Sequence, residues 1–114
     1  MTSGEGSPKR RWRYYRTAAG ASPVADFLGG LAVADRAPVA AAMASVRIGG
    51  LPVARHLRGD IYEVRAERAG RAWRVLFADE GARGQVLLAV NGFEKRSQKT
   101  PRQELELAER RLDD

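Results

Sequence analysis

The residues of this chain best suited to chemistry are arginines and lysines, and they gather in two segments. The first, 54–74, carries Arg58, Arg65 and Arg74, and the second, 91–101, carries Lys95 and Lys99. Guanidinium and ammonium groups placed together bind anions, and they suit phosphate in particular. Both segments therefore direct attention to a phosphate-bearing partner.

Such a set of cations can support RNA cleavage, because the nucleophile in that reaction is the RNA's own 2′-hydroxyl. The protein must align this hydroxyl with the phosphorus, stabilise charge on the phosphoryl oxygens, and supply a base and an acid. We expect a phosphate clamp made of Arg65, Arg74, Lys95 and Lys99. Glu63 is the carboxylate placed to act as the base. The arginines around it would make it a weak base, so an electrostatic or structural role is the alternative.

Two strands joined by a tight turn at Ala69-Gly70 are predicted to position the first segment. In that register Arg65 lies opposite Arg74, on the face that also carries Glu63, because side chains alternate along a strand. Opposed like charges about 5 Å apart repel each other, so an anion between them would explain the pair, and a solvated sheet face is the alternative. Arg74 then points away from the core, and its replacement by alanine is expected to leave the fold intact. The other face is expected to be core, with Tyr62, Val64, Ala66, Trp73, Val75 and Phe77.

The remaining patterns predict an α+β domain over residues 11–114, after a disordered leader over residues 1–10. Residues 11–17 read as an edge strand, Ser22-Pro23 begins a first helix, and Asp35 caps a second. The apolar run 86–90 suits a central strand, and Thr100 begins a capping box for a last helix. The expected order is β-α-α-β-β-β-α, with the helices against one face of a mainly antiparallel sheet and the charges on the other face or its rim.

The edge strand is both aromatic and basic, with Trp12, Tyr14 and Tyr15 between arginines. Aromatic rings interleaved with cations can stack on RNA bases. Burial of the aromatic side of the strand is the alternative. We assign docking on RNA to Arg10, Arg11, Arg13 and Arg16, in addition to the clamp.

The composition limits the class of protein. The 114 residues suffice for one small domain, and Lys and Arg outnumber Asp and Glu by 20 to 14, for a net charge of +6. This balance favours a polyanion such as nucleic acid as partner. There is no cysteine, and no stretch has the apolar length of a membrane span or a signal peptide. We therefore expect a cytoplasmic protein without a membrane partner.

Several familiar reaction centres do not fit the sequence. One histidine and no cysteine do not make a usual zinc site, so no metal ligand and no cofactor are expected. Ser97 and His56 lack the sequence signature of a hydrolase triad. The Gly-rich pieces at 29–30 and 49–50 follow helices, which does not fit a dinucleotide-binding or Walker loop.

Three stretches carry a resemblance to a known family. They are Leu57-Arg-Gly-Asp-Ile-Tyr-Glu-Val-Arg65, Trp73-Arg-Val-Leu-Phe77 and, above all, Gly92-Phe-Glu-Lys-Arg-Ser-Gln-Lys-Thr-Pro101. They resemble the phage-derived Gp49-like branch of the HigB toxins, within the RelE/ParE superfamily of type II toxin–antitoxin systems. The similarity covers residues 11–114. It implies a RelE-like α+β domain that cleaves mRNA on the ribosome and is neutralised by a helix-turn-helix, HigA-like antitoxin.

The resemblance also assigns residues. It places the clamp and catalytic region on Arg58, Glu63, Arg65, Arg74, Phe93, Lys95 and Lys99. In many relatives a histidine precedes the Gly-Phe pair, whereas this chain has Asn91, which removes one candidate acid or base. We expect catalysis by Glu63, Arg65, Arg74, Lys95 and Lys99, and RNA contacts from Arg13, Arg16, His56, Arg58, Phe93 and Arg96.

The expected function is that of a toxin which inhibits translation as a metal-independent endoribonuclease, an mRNA interferase. Its basic surface would dock on ribosomal RNA while the clamp cuts the message. A non-enzymatic protein on the same fold is the alternative, either an inhibitor of DNA gyrase as in the ParE branch or an RNA-binding module without cleavage. The fold does not decide between these functions.

Overall fold

The structure is a computed structural model that describes residues 9–96 and 100–114. Most of the predicted leader, residues 1–8, lies outside the described residues. The strands are β1 (Arg11–Tyr14), β2 (Arg55–Arg58), β3 (Ile61–Arg68), β4 (Arg71–Glu80) and β5 (Val86–Lys95). The helices are α1 (Pro23–Gly29), α2 (Val33–Gly49) and α3 (Arg102–Asp113), with a short 3-10 turn at Leu51–Val53.

The five strands form one mostly antiparallel sheet in the order β1-β5-β4-β3-β2. Strands β1 and β5 pair in parallel, and β1 is an edge strand as predicted. The predicted register of the β3–β4 hairpin is confirmed, since Arg65 pairs with Arg74 and Glu63 with Leu76 across a turn at Ala69-Gly70. The α+β class of the domain is confirmed with it.

The first core lies between α1, α2 and the predicted apolar face of the hairpin. Val64, Trp73, Val75 and Phe77 pack there against side chains of both helices. Trp12 joins this core from β1, with its ring edge-to-face on Phe77 at 5.0 Å. The structure therefore places Trp12 on the buried side of its strand.

The prediction that all helices lie on one face of the sheet is wrong. Helix α3 packs on the opposite face, where Leu105, Ala108 and Leu112 join a second core. The sheet contributes Ile61, Leu76, Leu88, Val90 and Phe93 to it. The 86–90 run is apolar on both sides, so β5 supplies an apolar surface to each core, and the stripe on α3 is buried against the second of them.

The predicted order also lacks one strand. Strand β2 pairs antiparallel with the start of β3 after a turn at Gly59, which has a left-handed φ of 54°. Arg55, His56 and Arg58 are exposed, so β2 is a short edge strand without a buried side of its own. The observed order is therefore β-α-α-β-β-β-β-α.

Two predicted helix caps are wrong. Asp35 lies inside the first turn of α2, whose N-cap is Ala32, and its buried carboxylate accepts hydrogen bonds from Arg68 and Arg71 at 2.8 and 2.9 Å. Thr100 does not cap α3, because the N-cap is Pro101 and no side chain makes a capping hydrogen bond there. Both polar side chains are used in tertiary contacts instead.

Helix α1 packs closely on β5 at Gly92. A Cβ atom at this position would collide with the ring of Phe27. Gly92 does not have the left-handed φ that favours glycine, so the close approach of the helix explains the residue. Within the described ranges, no helix is long and apolar enough to cross a membrane.

Candidate active site

Three strands bring three of the predicted clamp cations, Arg65, Arg74 and Lys95, together on the α3 side of the sheet, beside the hairpin turn. Arg65, Arg74 and Phe93 are neighbours across β3, β4 and β5, and Lys95 follows on β5 opposite Ala72. They border an open cleft of about 560 Å³. Its lining residues are Arg65, Glu67, Gly70, Arg71, Ala72, Arg74, Glu94, Lys95 and Arg96, and we call it the cationic cleft.

A buried ion pair lies under the cationic cleft. Glu63 is 1 % exposed and Arg74 is 2 % exposed, and Glu63 Oε1 lies 3.6 Å from Arg74 Nε. Arg65 Nε lies 3.9 Å from the same oxygen, but its side chain is 46 % exposed. The expectation that replacing Arg74 by alanine leaves the fold intact did not include this buried partner. The register of a strand gives the face on which a residue lies, and it does not give how deeply neighbouring residues cover it.

The guanidinium of Arg74 is fixed by one hydrogen bond, and one of its buried donors has no hydrogen-bond partner among the described residues. Its Nη1 donates to the carbonyl of Trp73 at 2.9 Å, whereas its buried Nε has no hydrogen-bond partner among the described residues. Burial lowers the pKa of the Arg74 guanidinium, Glu63 opposes this shift, and Arg65 adds to it. A desolvated guanidinium of this kind gains more than an exposed one from binding an anion.

Lys95 is the second perturbed cation of the cationic cleft. Burial lowers the pKa of its ammonium group, and the positive charge of Arg74 lowers it further, while Glu63 has the opposite effect. A lysine with a lowered pKa gives up its proton more readily near neutral pH. Lys95 is therefore suited to proton transfer as well as to charge stabilisation.

The segment before α3 contacts the buried carboxylate. The Thr100 hydroxyl donates to Glu63 Oε2 at 2.8 Å. Lys99, predicted to belong to the clamp, lies outside the described residues, as does the rest of 97–99. Among the described residues, Thr100 thus joins the segment before α3 to Glu63.

Carboxylates already hold part of the rim of the cationic cleft. Arg71 forms a two-bond fork with Glu94 at 3.0 and 2.9 Å, and also reaches Asp35. The hydrogen bond from Arg71 lowers the pKa of the Glu94 carboxyl. Arg96, predicted to contact RNA, is highly exposed and lies 3.4 Å from Glu94. These pairs fix the rim beside Lys95.

Two other residues that are predicted to bind RNA, His56 and Arg58, lie away from the cationic cleft. His56 pairs with Tyr62, on the opposite face, and its Nε2 lies 2.8 Å from the Gly59 carbonyl. Arg58 Nε and Nη2 donate to the two carboxylate oxygens of Glu109 in α3 at 2.9 and 2.6 Å. Phe93 is buried in the second core.

A separate cleft of about 550 Å³ lies beside β1. Arg13 and Arg16 line it together with Tyr14 and Tyr15. Tyr15 packs against the second core and its hydroxyl bonds Asp114. The two predicted arginines thus share a surface with exposed Tyr14, apart from the cationic cleft.

Asn91 and Arg55 have roles that the sequence did not indicate. The Asn91 amide donates to the Glu104 carboxylate at 2.8 Å and joins β5 to α3. Arg55 lies opposite Glu63 in the β2–β3 register. Recognition of 55–58 as a strand would have placed Arg55 beside the carboxylate. The described residues contain no group of three or more side chains suited to hold a metal ion.

A family model supports the resemblance carried by the motifs. The model described as phage-derived protein Gp49-like matches residues 26–113, which include the hairpin, the cationic cleft and α3. A search of curated proteins gives no match. The family match extends over more than half of the chain. This family is of the HigB/RelE-like toxin kind, so it suggests the toxin of a toxin–antitoxin system and implies an antitoxin partner. The protein therefore belongs to the phage-derived Gp49-like family.

Proposed function

We propose that this protein is a ribosome-dependent mRNA interferase, a metal-independent endoribonuclease that inhibits translation in the cytoplasm. The observation that supports it best is the cationic cleft, where Arg65, Arg74 and Lys95 converge beside a buried carboxylate. The substrate supplies the 2′-hydroxyl nucleophile. The protein has to supply charge stabilisation, alignment and proton transfer.

Arg65 and Arg74 suit different parts of phosphate binding. Arg65 is about half exposed and can meet the phosphodiester first, whereas Arg74 lies deeper. In the transition state, negative charge grows on the phosphoryl oxygens, and a preorganised cation at that place contributes about 10² to 10³ in rate. We assign this stabilisation mainly to Arg74, which is fixed by Trp73 and Glu63.

Lys95 is assigned the proton-transfer step at the leaving group. Burial and Arg74 lower the pKa of its ammonium group, which favours release of a proton to the departing 5′ oxygen. The 2′-hydroxyl oxygen forms the new bond to phosphorus as the bond to the 5′ oxygen breaks, and its proton passes to water in the open cleft. Glu63 is the base that the sequence predicts, but its carboxylate is buried under the cationic cleft. We assign it instead the role of a positioning residue that orients Arg74. Lys99 remains a proposed member of the clamp.

The proposed partners are mRNA on the ribosome, ribosomal RNA and a helix-turn-helix antitoxin. We assign docking on ribosomal RNA to the surface with Arg13 and Arg16 on the β1 side of the sheet. Its separation from the cationic cleft fits a division between docking and cleavage. Phosphate contacts of this kind do not depend on RNA sequence.

The test is to induce the protein without an antitoxin and to map the 5′ ends of cellular messages. Arg65→Ala and Lys95→Met should reduce both growth arrest and the appearance of new 5′ ends. Arg83→Ala is the matched control, because Arg83 is an exposed arginine in the turn at the far end of the β4–β5 hairpin. Folded Arg65→Ala and Lys95→Met proteins that cleave messages like the wild type would contradict the proposal.

A non-enzymatic toxin is the second candidate, supported by Asn91. The resemblance implies a histidine before the Gly-Phe pair, and here the side chain at that position is Asn91, which donates to Glu104. A ParE-like gyrase inhibitor or an RNA-binding module without cleavage would keep the same cations. Growth arrest with intact messages and inhibited DNA supercoiling would favour the gyrase inhibitor. Retained RNA binding without either effect would favour the binding module.

A further inference from the structure

A threonine hydroxyl contacts the carboxylate beneath the cationic cleft. Thr100 Oγ1 donates to Glu63 Oε2 at 2.8 Å. Thr100 stands just before α3 and does not use its hydroxyl to cap that helix. A hydrogen bond to a buried carboxylate restricts its orientation, because a broken bond would leave charged oxygen without a donor. The contact therefore fixes where the second oxygen of Glu63 lies.

That second oxygen lies short of a hydrogen bond with Arg74. Glu63 Oε1 is 3.6 Å from Arg74 Nε, whereas a charge-assisted N–H to carboxylate bond has a length of about 2.7 to 2.9 Å. Arg74 Nε has no hydrogen-bond partner elsewhere in the described ranges. A shift of less than about 1 Å would let the carboxylate close on Arg74. Opposite charges in a desolvated place favour that closure, so a restraint has to oppose it.

We propose that Thr100 is a positioning residue that holds Glu63 away from Arg74, so that the guanidinium stays available to a substrate phosphate. This inference rests on the proposed function of the cationic cleft. Glu63 then keeps the guanidinium of Arg74 at its position beside the cationic cleft, which Arg74 lines. The hydroxyl of Thr100 thereby links the start of α3 to the cation that stabilises the phosphoryl group.

Removing the hydroxyl should therefore change the geometry of the pair. In Thr100→Val the side chain keeps its shape and loses its donor, so Glu63 moves onto Arg74 Nε. Arg74 Nε then donates a hydrogen bond to the carboxylate, and the guanidinium is displaced from the position that suits the phosphate. A misplacement of about 1 Å in a catalytic group can cost about 10²-fold in rate.

The test compares Thr100→Val with Thr100→Ser, which keeps the hydroxyl, and with Thr17→Val. Thr17 is a suitable control because it is also partly buried, and its hydroxyl oxygen only accepts a bond from Ala21 N in a loop. The first readout is the NMR signal of the Arg74 Nε–H group. In Thr100→Val we expect it to shift downfield and to exchange more slowly with water. Thr100→Ser and Thr17→Val should keep the wild-type signal.

The second readout is cleavage of a ribosome-bound message. Thr100→Val should lower kcat about 10- to 100-fold, with KM within about 2-fold of wild type, and Thr100→Ser should restore kcat. An unchanged Arg74 signal in Thr100→Val, or a Thr100→Ser protein as defective as Thr100→Val, would overturn the inference. If the wild type itself does not cleave RNA, the proposed function fails, and the NMR comparison still decides whether Thr100 restrains Glu63.

Discussion

Replacing Arg74 by alanine should destabilise the protein, and the size of the loss follows from its buried partner. At 3.6 Å and an effective dielectric constant of about 20, the attraction between Glu63 and Arg74 is about 4 to 5 kcal/mol. Arg65 is close to the same carboxylate but half exposed, so solvent screens it and it compensates little. Removal of one partner from a buried ion pair commonly costs about 3 to 5 kcal/mol.

The expected loss for Arg74→Ala is about 3 to 4 kcal/mol at pH 7, because the variant leaves Glu63 buried without its partner. Lost packing around the apolar stem of the arginine contributes to the same loss.

Urea unfolding followed by tryptophan fluorescence measures this loss, because Trp73 is fully buried. Wild type, Arg74→Ala and the control Arg83→Ala should be compared at pH 7. The combination of Arg74→Ala with Glu63→Ala should recover part of the loss, since no buried charge is then unpaired. An Arg74→Ala protein within about 1 kcal/mol of wild type at pH 7 would refute the reasoning from burial. Loss of toxicity in this variant has to be interpreted together with its stability.

Two further predictions concern activity. The cleavage rate should not change with pH at low pH and should fall at alkaline pH, at a pH below the usual pKa range of lysine. The reason is that burial lowers the pKa of Lys95, and this acid must be protonated to donate. The same fall at alkaline pH in Lys95→Met would contradict this prediction. Arg13→Ala with Arg16→Ala should weaken ribosome binding and reduce the slope of log K against log salt by roughly 0.7 to 0.9 for each phosphate that the protein no longer neutralises. An unchanged slope would place docking elsewhere.

The hairpin register was predictable from the sequence because its two faces differ strongly. A slip of β3 by one residue would turn Val64 away from the face that carries Val75 and turn Glu67 toward it, so one pairing is clearly favoured. The chemistry of the second face was harder to predict. The alternation of side chains along a strand predicts that Arg74 and Glu63 share that face. Their burial depends on neighbouring side chains and on the segment before α3, which is distant from both residues in the sequence.

Polar residues near helix ends were the other source of error. Asp35 and Thr100 match local capping patterns, yet each makes its hydrogen bonds more than 30 residues away in the chain. A local pattern describes what a side chain can do for its own helix, and a hydrogen-bond partner distant in the chain can compete with it. Strand β2 was missed for a related reason, since an exposed edge strand has no alternating apolar face.

The packing of Phe27 on Gly92 bears on how members of this family are recognised. Gly92 begins the most distinctive run of the sequence, yet its residue type is explained by the close approach of α1. Helix packing does not require the cations of the neighbouring cleft, so a descendant that lost Arg65 or Lys95 could keep the glycine and the fold. If the proposed function holds, such a descendant would not cleave RNA and would still carry part of the motif. Assigning ribonuclease activity across related genomes therefore calls for inspection of the cleft cations themselves, with the glycine serving as a marker of architecture.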